Sequence, residues 1–169
     1  MAISRRATGE AKLRADLNKL DEAWKALQLV VITYKDRDQV YVLSGVDELY
    51  GFLDENLANI NMIRGNQYKA VVEEKAEILR KSLITMNTVT EDLLTLQRSW
   101  MHLENIFSSS EIKRVLGPEA AMFEKIDTFF KAQMSAAYKV PIAAKFLGRS
   151  KNLVELIKEK NESVDYIMK

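Results

Sequence analysis

The chain contains a single histidine and no cysteine, and those two facts confine the chemistry its side chains can perform. A serine or threonine nucleophile activated by imidazole would have to use His102, which falls within a helical stretch beside Trp100 and Leu103 and reads as structural. His102 and Glu104 have the H-x-E spacing of zinc deaminases, but that site needs cysteine ligands and none exists. Adjacent carboxylates occur at Asp47-Glu48 and Asp54-Glu55. Neighbours on a helix point in different directions, so neither pair forms a shared acid–base dyad. They read as solvated charge, with Asp47 and Glu48 suited to the positive end of a helix. No glycine-rich turn carries a lysine at the spacing that wraps phosphates, and no dinucleotide fingerprint occurs. The sequence therefore predicts no catalytic, cofactor-binding or metal-ligating residue, no cofactor, and no enzyme in this chain.

Charge narrows the partners in the same way. The 25 basic and 24 acidic residues nearly cancel, leaving no net field to draw in nucleic acid or an anionic membrane. Residues 1–14 lack the apolar stretch of a signal peptide, and no run approaches the ~18 apolar residues of a membrane span. Neither a nucleic acid nor a membrane is an expected partner. The absence of cysteine fits a reducing compartment, and the Asn161-Glu162-Ser163 triplet is read as accidental without a secretory signal.

The elements that would position any site are mostly helical. With 169 residues, 47% of them hydrophobic, and only 6 glycines and 2 prolines, the chain can bury a core without metal or disulfides. Leu13, Leu17, Leu20, Trp24 and Leu27 step by four and three from about Glu10, predicting a first helix. Residues 29–34 and 40–43 are β-branched and aromatic on either side of the polar Lys35-Asp36-Arg37-Asp38, predicting a β-hairpin at about 28–43, ended by Ser44-Gly45. A lone hairpin is marginal in water, so its apolar face must lie on a helix or on another part of a larger protein.

A second helix follows on Val46, Leu49, Tyr50, Leu53, Leu57 and Ile60, with Gly65 as its C′ residue. Residues 67–116 hold no glycine or proline, and Val72, Leu79, Leu83, Met86, Leu93, Leu96, Trp100, Leu103 and Phe107 form a nearly sustained heptad stripe. That favours one helix of about forty residues, against a break where Thr88 and Glu91 have the form of a capping box. Glu77 and Lys81 have the spacing of an ion pair on its solvated face. Ser108-Ser109-Ser110 offers caps to a short helix ending at Leu116-Gly117, and Pro118 suits the first turn of the next. That next helix carries Met122, Ile126, Phe129, Phe130 and Met134 until Val140-Pro141, and Gly148-Arg149-Ser150 separates off a last helix with Leu153, Leu156, Ile157, Val164 and Ile167. The fold expected is mainly α: an antiparallel array of long helices with one small β-hairpin, forming a single helical module over 1–169.

One segment is more specific. Residues 96–109, LQRSWMHLENIFSS, resemble the linker region of dynein heavy chains, where the pattern runs V-Q-R-x-W-x-Y-L-E-x-I-F-S. Val46-Asp47-Glu48-Leu49 and Met62-Ile63-Arg64-Gly65 stand in the family's order, and Ile112, Pro118-Glu119, Phe123 and Ile126-Asp127 continue it. His102 departs from the family's aromatic, Asn105 from its proline or small residue, and Ile63 splits the Met-Arg-Gly stretch. The resemblance spans roughly residues 20–169 and implies a fragment of a dynein heavy chain, of axonemal type by its Met-Arg-Gly and Val-Asp-Glu-Leu variants. It also implies a mechanical lever that couples ATP hydrolysis in the AAA+ ring of the same heavy chain to the microtubule power stroke. The partners so implied are that ring and the dynein complex subunits, with microtubules only indirectly, and the place implied is cytoplasmic or cytoskeletal, a ciliary or flagellar axoneme included. The rival reading is a passive helical adaptor or scaffold for partner helices, which would have no need of residues 29–43. In the absence of a phosphate loop, this chain is expected not to bind Mg-ATP; micromolar affinity by calorimetry would contradict that.

Overall fold

A computed structural model describes residues 2–35, 40–148 and 153–168. Asp36, Arg37, Asp38, Arg149 and Ser150, which belong to the predicted turn and separator, lie outside the described residues. Helix α1 (Ala2–Ala26) begins earlier than the apolar stripe indicated. It buries Leu13, Leu17 and Trp24, with Leu20 half-buried. Leu27 lies just past its end, packed against the core. Strands β1 (Val30–Thr33) and β2 (Tyr41–Ser44) pair antiparallel in the register Val31↔Leu43 and Ile32↔Val42. Ser44 thus belongs to the hairpin, and Gly45 alone ends it.

Gly45 takes a left-handed φ of 60° and turns the chain directly into α2 (Val46–Arg64). An added Cβ there would stand 2.9 Å from Val30 Cγ2, so both the dihedral and the space demand glycine. Asp47 and Glu48 occupy the first turn of α2 as expected. Its far end differs from expectation: Gly65 has a right-handed φ of −87°, and its N–H reaches the carbonyls of Asn61 and Met62. The helix tightens through local bonds, so the freedom of a C′ glycine is not used.

A turn at Asn66, whose side chain accepts from the Tyr68 N–H, and a single 3₁₀ turn (Lys69–Val71) precede α3 (Glu73–Phe107). The long helix therefore starts later than residue 67, because the Asn66 side chain offers the backbone an alternative to the helical ladder. It then runs unbroken for 35 residues, about 50 Å. The Thr88 capping box is not used. Met86, Val89, Thr90 and Leu93 are buried around that point, and tertiary burial overrides the local signal.

Helix α4 (Ser110–Val115) is capped by the Ser109 hydroxyl, which accepts from Ile112 N–H, and α5 (Gly117–Lys139) carries Pro118 in its first turn. After Val140-Pro141 comes α6 (Ala143–Leu147), which the sequence reading did not resolve, and then α7 (Leu153–Ile167). Helix α3 is the axis of the array, packed against α2, α5 and α7 and touched by α1, α4, α6 and β2. The buried residues form one core cluster running from Leu13 to Val164. No helix among the described residues is long and apolar enough to cross a membrane. Replacing Gly45 with Ala is expected to lower unfolding stability by about 1–2 kcal/mol through left-handed strain. Gly51→Ala, on an open face of α2, should raise it by about 0.5–1 kcal/mol; urea denaturation of the two variants checks both signs.

Candidate functional site

The most highly organised polar arrangement in the molecule lies where the hairpin meets α3. Tyr34 N–H donates to Val40 C=O across the hairpin at 2.8 Å. Bonded and non-bonded pairs alternate along an antiparallel ladder, so Ile32/Val42 and Val30/Ser44 are bonded while Val31/Leu43 and Thr33/Tyr41 are not. The N–H and C=O of Leu43 therefore point away from β1. Gln97 on α3 takes both: Leu43 N–H donates to Gln97 Oε1 at 2.6 Å, and Gln97 Nε2 donates to Leu43 C=O at 3.0 Å. One side-chain amide stands in for the next strand.

Trp100 lies one helical turn further along and is fully buried. Its ring meets Tyr34 edge-on at 5.2 Å and stacks on Phe130 of α5 at 4.7 Å. The indole N–H donates to Asp127 Oδ1 at 2.7 Å, and Asp127 Oδ2 pairs with Lys131 at 3.0 Å. Hairpin, α3 and α5 thus share one indole. Tyr41 of β2 stacks on Tyr138 of α5 at 4.1 Å, closing the same seam from outside. On its upstream side the segment leading into β1 is also held. Leu29 N–H donates to Pro141 C=O at 2.6 Å and Ala143 N–H to Leu27 C=O at 2.9 Å, a bridge that pairs Gln28 with Ile142.

The residues weighed as chemical candidates are scattered. His102, Asp47, Glu48, Asp54 and Glu55 are exposed. Among the described residues no three histidine, aspartate or glutamate side chains gather so as to hold a metal ion. A cleft of about 250 Å³ between the end of α2 and the start of α3 is lined by Asn61, Arg64, Lys69 and Glu73, all exposed. Glu77 is not paired with Lys81 as its spacing suggested. It binds Arg80 through both oxygens, at 2.7 and 3.0 Å, and Arg64 lies 3.6 Å away. The Arg80 guanidinium, hydrogen-bonded to the carboxylate, holds Glu77 below the usual carboxylate range. The small stabilisation from this half-buried pair is complete above that range and is lost as pH falls through the lowered value. Asn161, of the discarded triplet, donates to Asp92 C=O at 3.1 Å across the α3–α7 contact.

Gln97 and Asp127 escaped functional reading in the sequence. A signal existed for Gln97: it lies four residues after Leu93 and three before Trp100, a polar residue on the apolar stripe. Asp127 stood only in the family match, with nothing to show its role, since its partner is 27 residues distant.

Fold and junction together define a mainly α module, an antiparallel helical array gripping one small hairpin. All 169 residues match the family model described as dynein heavy chain, N-terminal region 2, and the chain belongs to the dynein heavy chain family in that region. It is 32% identical over 167 residues to human dynein axonemal heavy chain 6, covering 99% of this chain and 4% of the relative. It is 30% identical over 137 residues to mouse dynein axonemal heavy chain 2, covering 81% of this chain and 3% of that protein. With the Chlamydomonas reinhardtii dynein-1-beta heavy chain of the flagellar inner arm I1 complex it shares 28% over 168 residues, 99% of this chain and 4% of the other. The chain thus spans only a small fraction of the length of these relatives.

Trp100→Ala is expected to cost about 3–5 kcal/mol, as for other large buried aromatics. Gln97→Ala, which removes far less volume, should still cost about 2–3 kcal/mol because two buried backbone groups lose their partner. A denaturation midpoint unchanged in Gln97→Ala would show that water satisfies Leu43 equally well.

Proposed function

We propose that this chain is a non-catalytic linker segment of a dynein heavy chain, a lever that couples ATP hydrolysis in the AAA+ ring to the microtubule power stroke. The observation that carries this reading is α3, an unbroken helix of 35 residues braced by three other helices. A lever transmits force only through elements that resist bending, and lateral packing stiffens a helix far beyond what its own ladder provides. The gripped hairpin adds support, since a passive adaptor for partner helices has no use for a strand pair locked to its central helix. Residues 1–169 act as one module in this reading, with no catalytic, cofactor-binding or metal-binding residue of their own. Its partners are the AAA+ ring of the same heavy chain and the subunits of the dynein complex, with microtubules engaged only indirectly. The axonemal and flagellar names of its relatives support a place in the ciliary or flagellar axoneme.

The reading is tested by softening α3 in the intact heavy chain. Asn87 and Thr88 are only half-buried, and replacing both with glycine removes helix propensity at about 0.3–0.5 kcal/mol each, too little to unfold a packed array. Microtubule gliding is expected to slow while ATP turnover persists. Full-speed gliding by a variant with demonstrably weakened α3 would overturn the lever.

A further inference from the structure

The two edges of the hairpin are treated differently. The outward groups of Leu43 on β2 are closed by Gln97. On β1 the outward residues are Val31 and Thr33, continuing from Leu29 just before it and alternating with those bonded to β2. The Pro141–Ala143 stretch binds this edge at Leu27 and Leu29 and then departs, because Lys139, which the Gln28–Ile142 register would set opposite Val31, is already the last residue of α5. Among the described residues no strand lies beside Val31 and Thr33. Around them Val30 and Ile32 are 45% and 49% exposed. An apolar strand edge in this state invites another strand, and proteins ordinarily blunt or cover it.

We propose that the open edge of β1 is completed by one extended segment from elsewhere in the same heavy chain, continuing the partial strand begun at Pro141–Ala143. The occupant presents backbone N–H and C=O groups to Val31 and Thr33, and β-branched or aromatic side chains to Val30 and Ile32. Tethering is required: an edge so short buries far less than the roughly 1,200 Å² of a stable separate complex, whereas a linked strand reaches effective concentrations of about millimolar. A longer heavy chain is all this needs, whether or not the chain works as a lever.

Amide hydrogen exchange in the intact heavy chain reads the pairing. Val31 and Thr33 are expected to exchange about 100-fold more slowly than an unstructured chain, as paired strands do. Thr33→Pro deletes the outward donor but no bond to β2. It should return Val31 to near the unstructured rate while Tyr34, bonded to Val40, stays protected; Thr33→Ala should keep the protection. Fast exchange at Val31 in the unaltered protein would overturn the proposal, as would protection that survives Thr33→Pro, or protection that grows with protein concentration and so points to a second copy. If Thr33→Pro also exposes Tyr34, the hairpin itself has opened and the unaltered protein's rates decide alone.

Discussion

A helix that buries a side chain at nearly every turn, from Ala76 to Phe107, cannot stand on a surface; it must be surrounded. That demand organises the molecule. α2, α5 and α7 each pack against α3, and the hairpin meets it where Leu43 faces Gln97. Burial of this much apolar surface is the dominant favourable term in the fold, and it sets helix length and order more strongly than any local preference. Thr88 and Glu91 show the ranking: a capping box in sequence, they lie inside an uninterrupted helix because Val89, Thr90 and Leu93 are wholly buried there.

Bringing a strand pair against such a helix creates a polar difficulty, because strands carry backbone groups on both edges and an apolar surface offers them nothing. Gln97 resolves it for β2 and Pro141 in part for β1. Trp100 adds volume and a second polar anchor through Asp127, so the hairpin is held by shape and by hydrogen bonding together. Gly45 completes the joint by turning β2 into α2 at a dihedral that a side chain would resist.

Much of this was legible in the residues. The apolar stripes gave the helices, the β-branched runs gave the hairpin, and the 96–109 segment gave the family. What stayed hidden was non-local or competitive. The Gln28–Ile142 bridge joins segments more than a hundred residues apart, and no periodicity encodes such a meeting. α6 is only one and a half turns long, too short to show a period. The start of α3 lies later than the stripe indicates because Asn66 binds the Tyr68 amide, and Gly65, which suits a C′ position by residue type, is right-handed here. Glu77 chose Arg80 over Lys81, since a planar guanidinium engages both carboxylate oxygens where an ammonium engages one. At the junction itself, the buried stripe announced Trp100, whereas the purpose of Gln97 emerged only with the strand it faces.

The amide clasp between Gln97 and Leu43 also has a material character. Its two hydrogen bonds run side by side between the same pair of residues, so a pull that separates hairpin from helix loads both at once. Parallel bonds share tension and fail together, whereas bonds in series would peel one after the other. Such a seam holds its shape under small forces and then parts over a short distance, with a sharp yield point in place of gradual give. When the halves return, the planar amide finds both partners in a single orientation, so the seam recloses in register.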